Sequence, residues 1–357
     1  MTSGLRPGLE GVVVAETVLS HADPKRGMLW VRGRPIPELV EQRGFEGTVA
    51  LLWEGFAGRD LSRAGMTQTL GAARQQVFSR IDTWLPAAAG RPFDVAIRIA
   101  LALLPDDSSP AAIQATFAVC VPAIFRAGAG AKPLPPDPAL PVATDVLRML
   151  HGVLPDQAKA RALDTYFAAM AESGMGPATF TARTVASTRA SLASAVLAAW
   201  CSFAGPLHGG APGPTLDMLD AAAAAGDLDG WIEQKLQSGE RLAGFGHRVF
   251  RGNDPRAAAM RAVLQHMGPA AARLEFASHL EQRVAAVAAR IKPGRRLPAN
   301  VEVMAALLLD AVGFPRNAFT AVFAITRSAG WIAHALEQRA TGRMIRPASH
   351  YVGPTAE

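Results

Sequence analysis

The sequence predicts an all-α protein, and its composition and apolar periodicity carry the prediction. Half of the 357 residues are apolar and 18% are charged, so the chain has ample material for a large buried core. Alanine is abundant, whereas β-branched residues are sparse and tyrosine occurs only twice. This composition favours helices that pack closely through small side chains over extended sheet.

The N-terminal segment departs from helical spacing. Residues 10–17 (EGVVVAET) and 28–33 (MLWVRG) are short β-prone runs, and the turn-forming residues 21–27 (HADPKRG) lie between them. The sequence therefore predicts one small β-hairpin. Beyond it, apolar residues recur at helical spacing, and the predicted helices cover 36–52, 66–78, 94–104, 108–125, 142–154, 157–172, 179–203, 216–225, 228–237, 255–267, 269–291, 301–312 and 318–339.

The predicted helix boundaries carry residue types that suit them. Asp254 and Asn300 are predicted N-caps, because a short polar side chain can accept a hydrogen bond from the first turn of a helix. The proline- and glycine-rich residues 127–141 predict a surface connection. Glycine and proline also interrupt the helical pattern at 174–177 and at 205–210.

Charge and hydropathy argue against nucleic-acid binding and against a membrane span. The formal net charge is +6, but the arginines are scattered, without a basic block or interleaved aromatic residues. Small anionic ligands therefore explain the positive charge better than nucleic acid does. The longest uncharged stretches, 108–125 and 190–207, contain proline, so they predict buried helices and no membrane span.

Several further expectations concern the cellular setting. The N-terminus has no continuous apolar run behind a basic stretch, so no signal peptide is predicted. Cys120 and Cys201 lie in apolar runs, where a free thiol behaves as a small core residue and no disulfide is expected. We therefore expect a cytoplasmic protein. The histidines share no ligand spacing, and no metal site is predicted.

Two of the eight histidines stand out by their surroundings. His208 lies in GPLHGG (205–210), and His247 lies in GFGHRVFRGNDPR (244–256). Each is flanked by glycine in a loop between predicted helices, where the backbone can approach a ligand and the imidazole can point into a cleft. Local context leaves a functional and a structural role open for both. The other six are expected to be structural or on the surface.

Taken together and in order, these strings resemble the citrate synthase family, whose members join an acyl-CoA to a 2-oxo acid. The resemblance covers nearly the whole chain, through GLEGVVVAET, WVRGRPIPELV, TFTARTVAST, GPLHGGA, RLAGFGHRVFRGNDPRA, NVE, RSAGWIAHALEQ and IRPASHYVGP. It implies a two-domain helical fold with a small N-terminal hairpin. Residues 1–211 and 316–357 would form the large domain and residues 212–315 the small one.

The resemblance also implies catalytic roles. An α-proton of an acyl thioester is weakly acidic, so a carboxylate base needs a hydrogen-bond donor at the thioester oxygen to stabilise the enolate. His208 matches the family's donor, and Glu302 occupies the position of the base. His247 matches the residue that polarises the carbonyl group of the 2-oxo acid. No cofactor or metal is implied, because the acyl-CoA is a co-substrate.

Binding roles follow in the same way. Guanidinium groups bind carboxylates in bidentate fashion, and Arg256, Arg327 and Arg346 resemble the family's carboxylate-binding arginines. Arg346 would come from the neighbouring subunit, which implies a homodimer. Arg251 matches a position that meets a CoA phosphate. The adjoining backbone would approach the adenine or pantetheine part of CoA through Gly244, Phe245 and Gly246.

Two positions depart from the family pattern. Glu302 stands where the family usually has aspartate, and its additional methylene displaces the carboxylate. A displacement of about 1 Å can cost on the order of 100-fold in rate. Glu302 could instead only complement the dipole of its helix. Ser173 stands where the family usually has a histidine that binds the substrate. Its short hydroxyl leaves space and removes a possible cation, which predicts an altered pocket for the 2-oxo acid.

These features predict an acyltransferase that converts the acyl group into an alkyl group on transfer. The expected reaction joins acetyl-CoA or propionyl-CoA to oxaloacetate and yields citrate or 2-methylcitrate and CoA, as in the tricarboxylic acid cycle. Three alternatives stay open: a family paralogue with another acceptor, a citryl-CoA lyase-type activity, and a weakly active sensor that binds acyl-CoA. The expected partners are an acyl-CoA, a 2-oxo dicarboxylate and a second copy of the chain.

Overall fold

A computed structural model describes residues 6, 8–9, 11–23, 25–58, 62–209, 212–246, 254–291 and 297–354. Most of these residues are helical, which confirms the predicted fold class. The elements in chain order are β1 Ser20–Asp23, β2 Met28–Val31, β3 Arg34–Pro35, α1 Ile36–Glu38, a π-helical turn Leu39–Arg43, α2 Gly44–Trp53, α3 Arg63–Phe78, α4 Ile81–Ala88, α5 Phe93–Ala102, α6 Pro110–Gly128, α7 Val142–His151, α8 Gln157–Met170, α9 Pro177–Ser187, α10 Leu192–Phe203, α11 Pro212–Ala223, α12 Leu228–Gln237, α13 Pro255–Leu264, α14 Pro269–Ile291, α15 Val301–Ala311, a 3-10 turn Arg316–Ala318 and α16 Phe319–Thr341.

The small sheet forms, but its first strand differs from the prediction. Strands β1, β2 and β3 are antiparallel in that order, with Ser20 paired to Val31 and Asp23 to Met28. The β-prone residues 12–17 lie outside the sheet, so the prediction of a strand there is wrong. The physical reason is that β2 ends at Val31, because Arg32 and Gly33, with φ values of 50° and 77°, turn the chain into β3 and leave no strand among the described residues to pair with those before Leu19.

The segment predicted as one helix over 179–203 is two helices, α9 and α10, packed against each other. Arg189, between them, has a φ of 63°, a left-handed conformation that ends an α-helix. The Ser191 side chain then caps α10 by accepting a hydrogen bond from the Ser194 N–H. A further helix, α4, lies in a stretch for which no helix was predicted.

Both predicted N-caps are confirmed. The Asp254 side chain accepts a hydrogen bond from the Arg256 N–H at the start of α13, and Asn300 accepts one from the Glu302 N–H at the start of α15. Helix α13 ends at Leu264, earlier than predicted. These caps fix where the two helices begin, and the first turns carry Arg256, predicted to bind substrate, and Glu302, the predicted base.

Helix α16 is the centre of the core. Residues 321–335 are all buried, because α2, α5, α6, α8, α9 and α10 pack around this helix. The Trp331 ring meets those of Phe117 and Phe203 edge-on. Helices α11 to α15 pack mainly among themselves, and α13 and α15 also contact α8. The predicted domain boundaries at 211 and 315 stay a prediction.

The apolar segments predicted to be buried are buried in part. Helix α6 is long and apolar enough to span a membrane, but 78% of its apolar window is buried inside the protein. Cys120, on this helix, is in the core as predicted, and Cys201 is exposed. The prediction for Cys201 is wrong because α10 turns Trp200 into the core, and successive helical residues point about 100° apart.

Candidate active site

His208 lies in the turn that follows α10. The His208 N–H donates to the Gly205 carbonyl oxygen at 3.0 Å, and the Gly209 N–H donates to the Phe203 carbonyl oxygen at 2.8 Å. A Cβ atom at Gly209 would lie 2.6 Å from that same oxygen, so only glycine allows this turn. The His208 imidazole is half-buried and meets the Phe203 ring edge-on, with 5.1 Å between ring centroids.

The hydrogen bonding of His208 defines its tautomer. The Ala178 N–H, in the first turn of α9, donates to His208 Nε2 at 3.3 Å. Because Nε2 accepts, the proton of the neutral ring is on Nδ1. Burial, reinforced by the charge of Arg327, lowers the pKa of His208 to about 4. Near pH 7 the imidazole is therefore neutral and presents Nδ1–H as a donor.

Arg327 is the buried cation of the site. It projects from α16, is 7% exposed, and its guanidinium lies 4.9 Å from the centre of the Phe323 ring. Its Nε–H donates to the Met170 carbonyl oxygen at 2.8 Å, and Nη1 donates to Ser173 Oγ at 2.7 Å. Burial lowers the pKa of Arg327 to about 10, against the opposing effect of the Glu172 carboxylate, so Arg327 stays charged at neutral pH.

Ser173, one of the two departures, thus contacts a predicted carboxylate-binding arginine directly. Glu172 stabilises the turn that carries Ser173. Its Oε1 accepts hydrogen bonds from the Gly174 N–H at 2.5 Å and from Ser20 Oγ at 2.9 Å. Burial alone would raise the pKa of Glu172, but His334, Arg327 and the Gly174 N–H together lower it to about 2. An ionised, buried carboxylate therefore anchors the Ser173 turn.

His334 connects this anchor to a second buried ion pair. Arg183 Nη1 donates to His334 Nδ1 at 3.0 Å and to Glu337 Oε2 at 2.5 Å, and His334 Nε2 lies 3.2 Å from Glu172 Oε1. Glu337 Oε1 also accepts a hydrogen bond from the Val18 N–H at 2.9 Å. The network joins α9, α16 and the N-terminal segment, and it makes the floor of the site rigid.

Arg256 is held by the cap of its own helix. Its Nε and Nη2 donate to the two carboxylate oxygens of Asp254 at 3.0 and 2.7 Å, and Arg256 is 6% exposed. The charge of Arg256 lowers the pKa of Arg327, so the two guanidinium groups lie within electrostatic reach of each other. Two of the three predicted carboxylate-binding arginines are thereby brought together.

Asn300 joins the predicted base to the predicted CoA loop. Its Oδ1 accepts from the Glu302 N–H at 2.9 Å, and its Nδ2 donates to the Gly246 carbonyl oxygen at 2.9 Å. The Asn300 N–H donates to the Gly244 carbonyl oxygen at 2.8 Å. Gly244 has a φ of 78°, and a Cβ atom there would lie 2.6 Å from Thr215 Cγ2. The loop residues Gly244 to Gly246, including the half-buried Phe245, are thus fixed to the start of α15.

Glu302 lies at the same site as Arg327. It is half-buried in the first turn of α15, and its negative charge raises the pKa of Arg327 and that of Tyr166. Tyr166, on α8, was not predicted from the sequence, where nothing distinguishes it from a core aromatic residue. His208, Arg327, Arg256, Ser173, Glu302 and Tyr166 therefore form one electrostatically connected group.

Three predicted residues are not part of that group. His247 and Arg251 lie outside the residues that the structure describes. Arg346 is exposed in an extended segment after α16, and no hydrogen bond or ion pair joins it to the described part of this chain. Among the described residues, no group of three or more His, Cys, Asp and Glu side chains could hold a metal ion.

The fold and the site together define a class of protein: an all-helical enzyme with a neutral imidazole donor, a carboxylate and two guanidinium groups around one site. A family model described as citrate synthase, C-terminal domain, matches residues 8–348. A Mycobacterium tuberculosis protein with the provisional name citrate synthase 2 is 37% identical, over 98% of this chain and 93% of its own length. The 2-methylcitrate synthase of M. tuberculosis is 30% identical, over 98% and 91%.

The solved structures agree with these relatives. The crystal structure of citrate synthase from Thermotoga maritima superposes with a TM-score of 0.87 at 30% identity, over 99% of this chain and 97% of that one. The chain belongs to the citrate synthase family. It is an enzyme with citrate synthase-type condensing activity, a transferase that converts an acyl group into an alkyl group on transfer.

Proposed function

We propose that this enzyme condenses acetyl-CoA or propionyl-CoA with oxaloacetate and releases citrate or 2-methylcitrate and CoA. Relatives at 30% identity or more include a citrate synthase from Haloferax volcanii and the 2-methylcitrate synthase of M. tuberculosis. A solved structure of citrate synthase from Thermoplasma acidophilum, similar in fold with a TM-score of 0.84 at 20% identity, is a ternary complex with carboxymethyl coenzyme A and oxaloacetate. Both substrate classes are anionic, in keeping with the buried guanidinium groups.

The tautomer of His208 is the observation that carries the proposal. A neutral imidazole whose Nε2 is occupied by the Ala178 N–H can act at Nδ1 only as a hydrogen-bond donor. Such a donor stabilises the negative charge that develops on a thioester oxygen when an α-proton leaves. A cationic imidazole would be a stronger acid, and the low pKa of His208 excludes it near pH 7.

Glu302 is the base in this proposal. It removes an α-proton from the acyl group, and the electron pair of the C–H bond moves toward the thioester oxygen, where His208 donates. The resulting nucleophilic carbon attacks the C2 carbonyl carbon of oxaloacetate and forms the new C–C bond. The former carbonyl oxygen takes up a proton from His247, by the resemblance to the family. Water then cleaves the thioester and releases CoA.

Arg327 and Arg256 bind the carboxylates of the acceptor. Their mutual repulsion is relieved when an anion lies between them, which favours a dicarboxylate acceptor. Asp254 already engages Arg256 in bidentate fashion, so the acceptor shares this cation with the Asp254 carboxylate. We expect acceptor binding to draw α13 toward α16 and to close the site against water.

The CoA moiety binds along Gly244, Phe245 and Gly246, with Arg251 at a phosphate. Since Asn300 holds both this loop and the first turn of α15, CoA binding and the position of the Glu302 carboxylate are coupled. The active form is a cytoplasmic homodimer in which Arg346 of each chain completes the site of the other. It uses no cofactor or metal.

A thiol-release assay tests the proposal. Acetyl-CoA and propionyl-CoA are each combined with a panel of 2-oxo acids, and free CoA is followed spectrophotometrically. We expect release that depends on oxaloacetate and that falls about 100- to 1000-fold in His208→Ala, because one preorganised donor is lost. Absence of release with every pair would contradict a condensing activity. The ratio of the two acyl-CoA rates identifies the physiological donor.

A second candidate is condensation with another 2-oxo acid, and the contact of Arg327 with Ser173 favours it. Ser173 Oγ accepts one N–H of Arg327 at 2.7 Å, where the family usually has a histidine that binds the acceptor. The same panel separates the two candidates, since release would then depend on an acceptor other than oxaloacetate. Release of acetyl-CoA from citryl-CoA would indicate the lyase direction, and CoA binding without turnover would indicate a sensor.

A further inference from the structure

Tyr166 carries a buried hydroxyl group for which the fold provides no hydrogen-bond partner. The residue lies in the middle of α8 and is 0% exposed. Among the described residues no donor or acceptor meets its hydroxyl oxygen. A buried donor without a partner is unfavourable and uncommon. If Tyr166 served packing alone, phenylalanine would fill the same space without this cost.

The surroundings of Tyr166 place it behind the active site. Its ring packs against Phe167 and Phe323, with centroid distances of 6.0 and 6.2 Å. The other side of this cluster belongs to the site, because the guanidinium of Arg327 lies over the Phe323 ring at 4.9 Å. Helix α8 also contacts α15, whose first turn carries Glu302. Tyr166 thus lies one aromatic ring away from Arg327, on a helix that contacts the helix of the candidate base.

The charges of two groups on helices packed against α8 shift the pKa of Tyr166. They are Glu302 on α15 and Arg327 on α16, and no other ionised side chain of the described residues perturbs the tyrosine. Only one of the two can accept a hydrogen bond, because a guanidinium group has donors and no acceptor. Among the charged groups of the described residues, the Glu302 carboxylate, which can accept up to four hydrogen bonds, is therefore the acceptor available to the Tyr166 hydroxyl.

We propose that Tyr166 is a positioning residue whose O–H donates to the Glu302 carboxylate when the site closes on its substrates, and that it then holds this carboxylate in the orientation for proton abstraction. The inference rests on the proposed role of Glu302 as the base. Glutamate has one more rotatable bond than the aspartate usual in the family, so its oxygens need an additional restraint. A buried hydroxyl on the rigid helix α8 supplies that restraint without touching the substrate.

The electrostatics of Tyr166 suit this task. Burial raises its pKa well above 10, and the Glu302 carboxylate raises it further while Arg327 opposes. The hydroxyl therefore keeps its proton over the whole pH range of an assay. A hydrogen bond to the ionised carboxylate favours the charged form and lowers the pKa of the base. The acid limb of the pH–rate profile should consequently move to higher pH when the hydroxyl is removed.

Kinetics of Tyr166→Phe test the inference. We expect kcat to fall about 10- to 100-fold, as for loss of a hydrogen bond to a charged group, with the KM of oxaloacetate within about 2-fold and the acid limb moved to higher pH. Thermal stability should not fall, because the hydroxyl makes no hydrogen bond in the structure. Thr67→Val is the control, since it removes a hydroxyl on α3, outside the site, that donates only to the Arg63 carbonyl oxygen of its own helix among the described residues. Unchanged kcat and pH profile in Tyr166→Phe would overturn the inference.

A double-mutant comparison separates positioning from packing. In Glu302→Asp the side chain is one methylene shorter and we expect the contact with Tyr166 to be lost, so adding Tyr166→Phe to this variant should change kcat by less than about 2-fold. If Tyr166→Phe lowers kcat equally in both backgrounds, the hydroxyl acts independently of Glu302 and the inference is wrong.

An NMR titration makes the test independent of turnover. The chain has only two tyrosines, so tyrosine labelled with ¹³C at the ring carbon that bears the hydroxyl gives two resonances, and Tyr351→Phe assigns them. With oxaloacetate bound, the Tyr166 resonance should follow the ionisation of Glu302 and lose this titration in Glu302→Gln. If the resonance is the same in wild type and Glu302→Gln at every pH, the contact does not form. If the wild type releases no thiol with any substrate pair, the proposed function fails, and this titration alone decides the Tyr166–Glu302 contact.

Discussion

At the scale of single residues, the chemistry of the site depends on groups whose charge state is fixed by burial. His208 is kept neutral by the apolar surroundings of its ring and by Arg327, and the Ala178 N–H selects its tautomer. Arg327 stays charged although it is buried, because Glu172 opposes the effect of burial on its pKa. A neutral donor and a cation thus lie within electrostatic reach of each other, one suited to a thioester oxygen and the other to a carboxylate.

The lowered pKa of His208 has a consequence for stability. The unfolded chain binds a proton at His208 below its ordinary pKa of 6.5, whereas the folded chain does so only below about pH 4. Between these values the unfolded state holds more protons, so the free energy of unfolding must decrease as the pH falls through this window. The contribution of His208 is fully present above pH 6.5.

Urea unfolding of wild type and His208→Gln from pH 7 to pH 4 measures this effect. Glutamine is neutral throughout, so the wild type should lose more stability than the variant between pH 6.5 and pH 4. Parallel curves for the two proteins would show that the pKa of His208 is not lowered in the folded state.

At the scale of the elements, helix N-termini organise the site. The first turn of α9 provides the N–H that binds His208, the first turn of α13 carries Arg256, and the first turn of α15 carries Glu302. The N-cap Asn300 does more than begin a helix, because its amide also holds the Gly246 carbonyl oxygen. One side chain therefore sets the distance between the CoA loop and the candidate base.

Asn300→Ala should affect stability and catalysis together. We expect the free energy of unfolding to fall by about 1 kcal/mol, as for the loss of an N-cap, the KM of the acyl-CoA to rise, and kcat to fall. Ser109→Ala is the matched control, since Ser109 caps α6 through the Ala112 N–H. The control should lose similar stability in urea unfolding and keep its kinetic constants. Equal kinetic constants in the two variants would contradict the coupling.

At the scale of the whole molecule, the site described in one chain lacks Arg346, the third arginine predicted to bind a carboxylate. Arg346 lies beyond the last helix in an extended, exposed segment, 342–354, whose exposed residues include Met344, Tyr351 and Val352. Such a segment has little to hold it on its own chain. In the proposed homodimer, this segment would reach the site of the neighbouring chain.

Complementation between two inactive variants tests this arrangement. His208→Ala and Arg346→Ala each remove one side chain from the shared site. A mixed dimer of the two variants contains one site in which both side chains are intact. Co-refolded equimolar variants should recover about a quarter of the wild-type activity per chain, and light scattering should give the mass of a dimer. Failure to recover activity in a proven mixed dimer would show that Arg346 acts within its own chain or not at all.

The sequence by itself determined the helical class, the presence of a small N-terminal sheet, the caps Asp254 and Asn300, and the family. Each of these depends on local signals: apolar periodicity, short polar residues before helices, and glycines where a Cβ atom would collide, as at Gly209 and Gly244. Local signals can be read along the chain because the interacting atoms are only a few residues apart.

Only the tertiary structure decided the rest. The tautomer of His208, the contact of Ser173 with Arg327 and the burial of the Tyr166 hydroxyl involve partners 30, 154 and 136 or more residues apart. The exposure of Cys201 likewise depends on which face of α10 meets the core. Burial and long-range packing set hydrogen-bond partners and pKa values, and neither is encoded in the spacing of neighbouring residues.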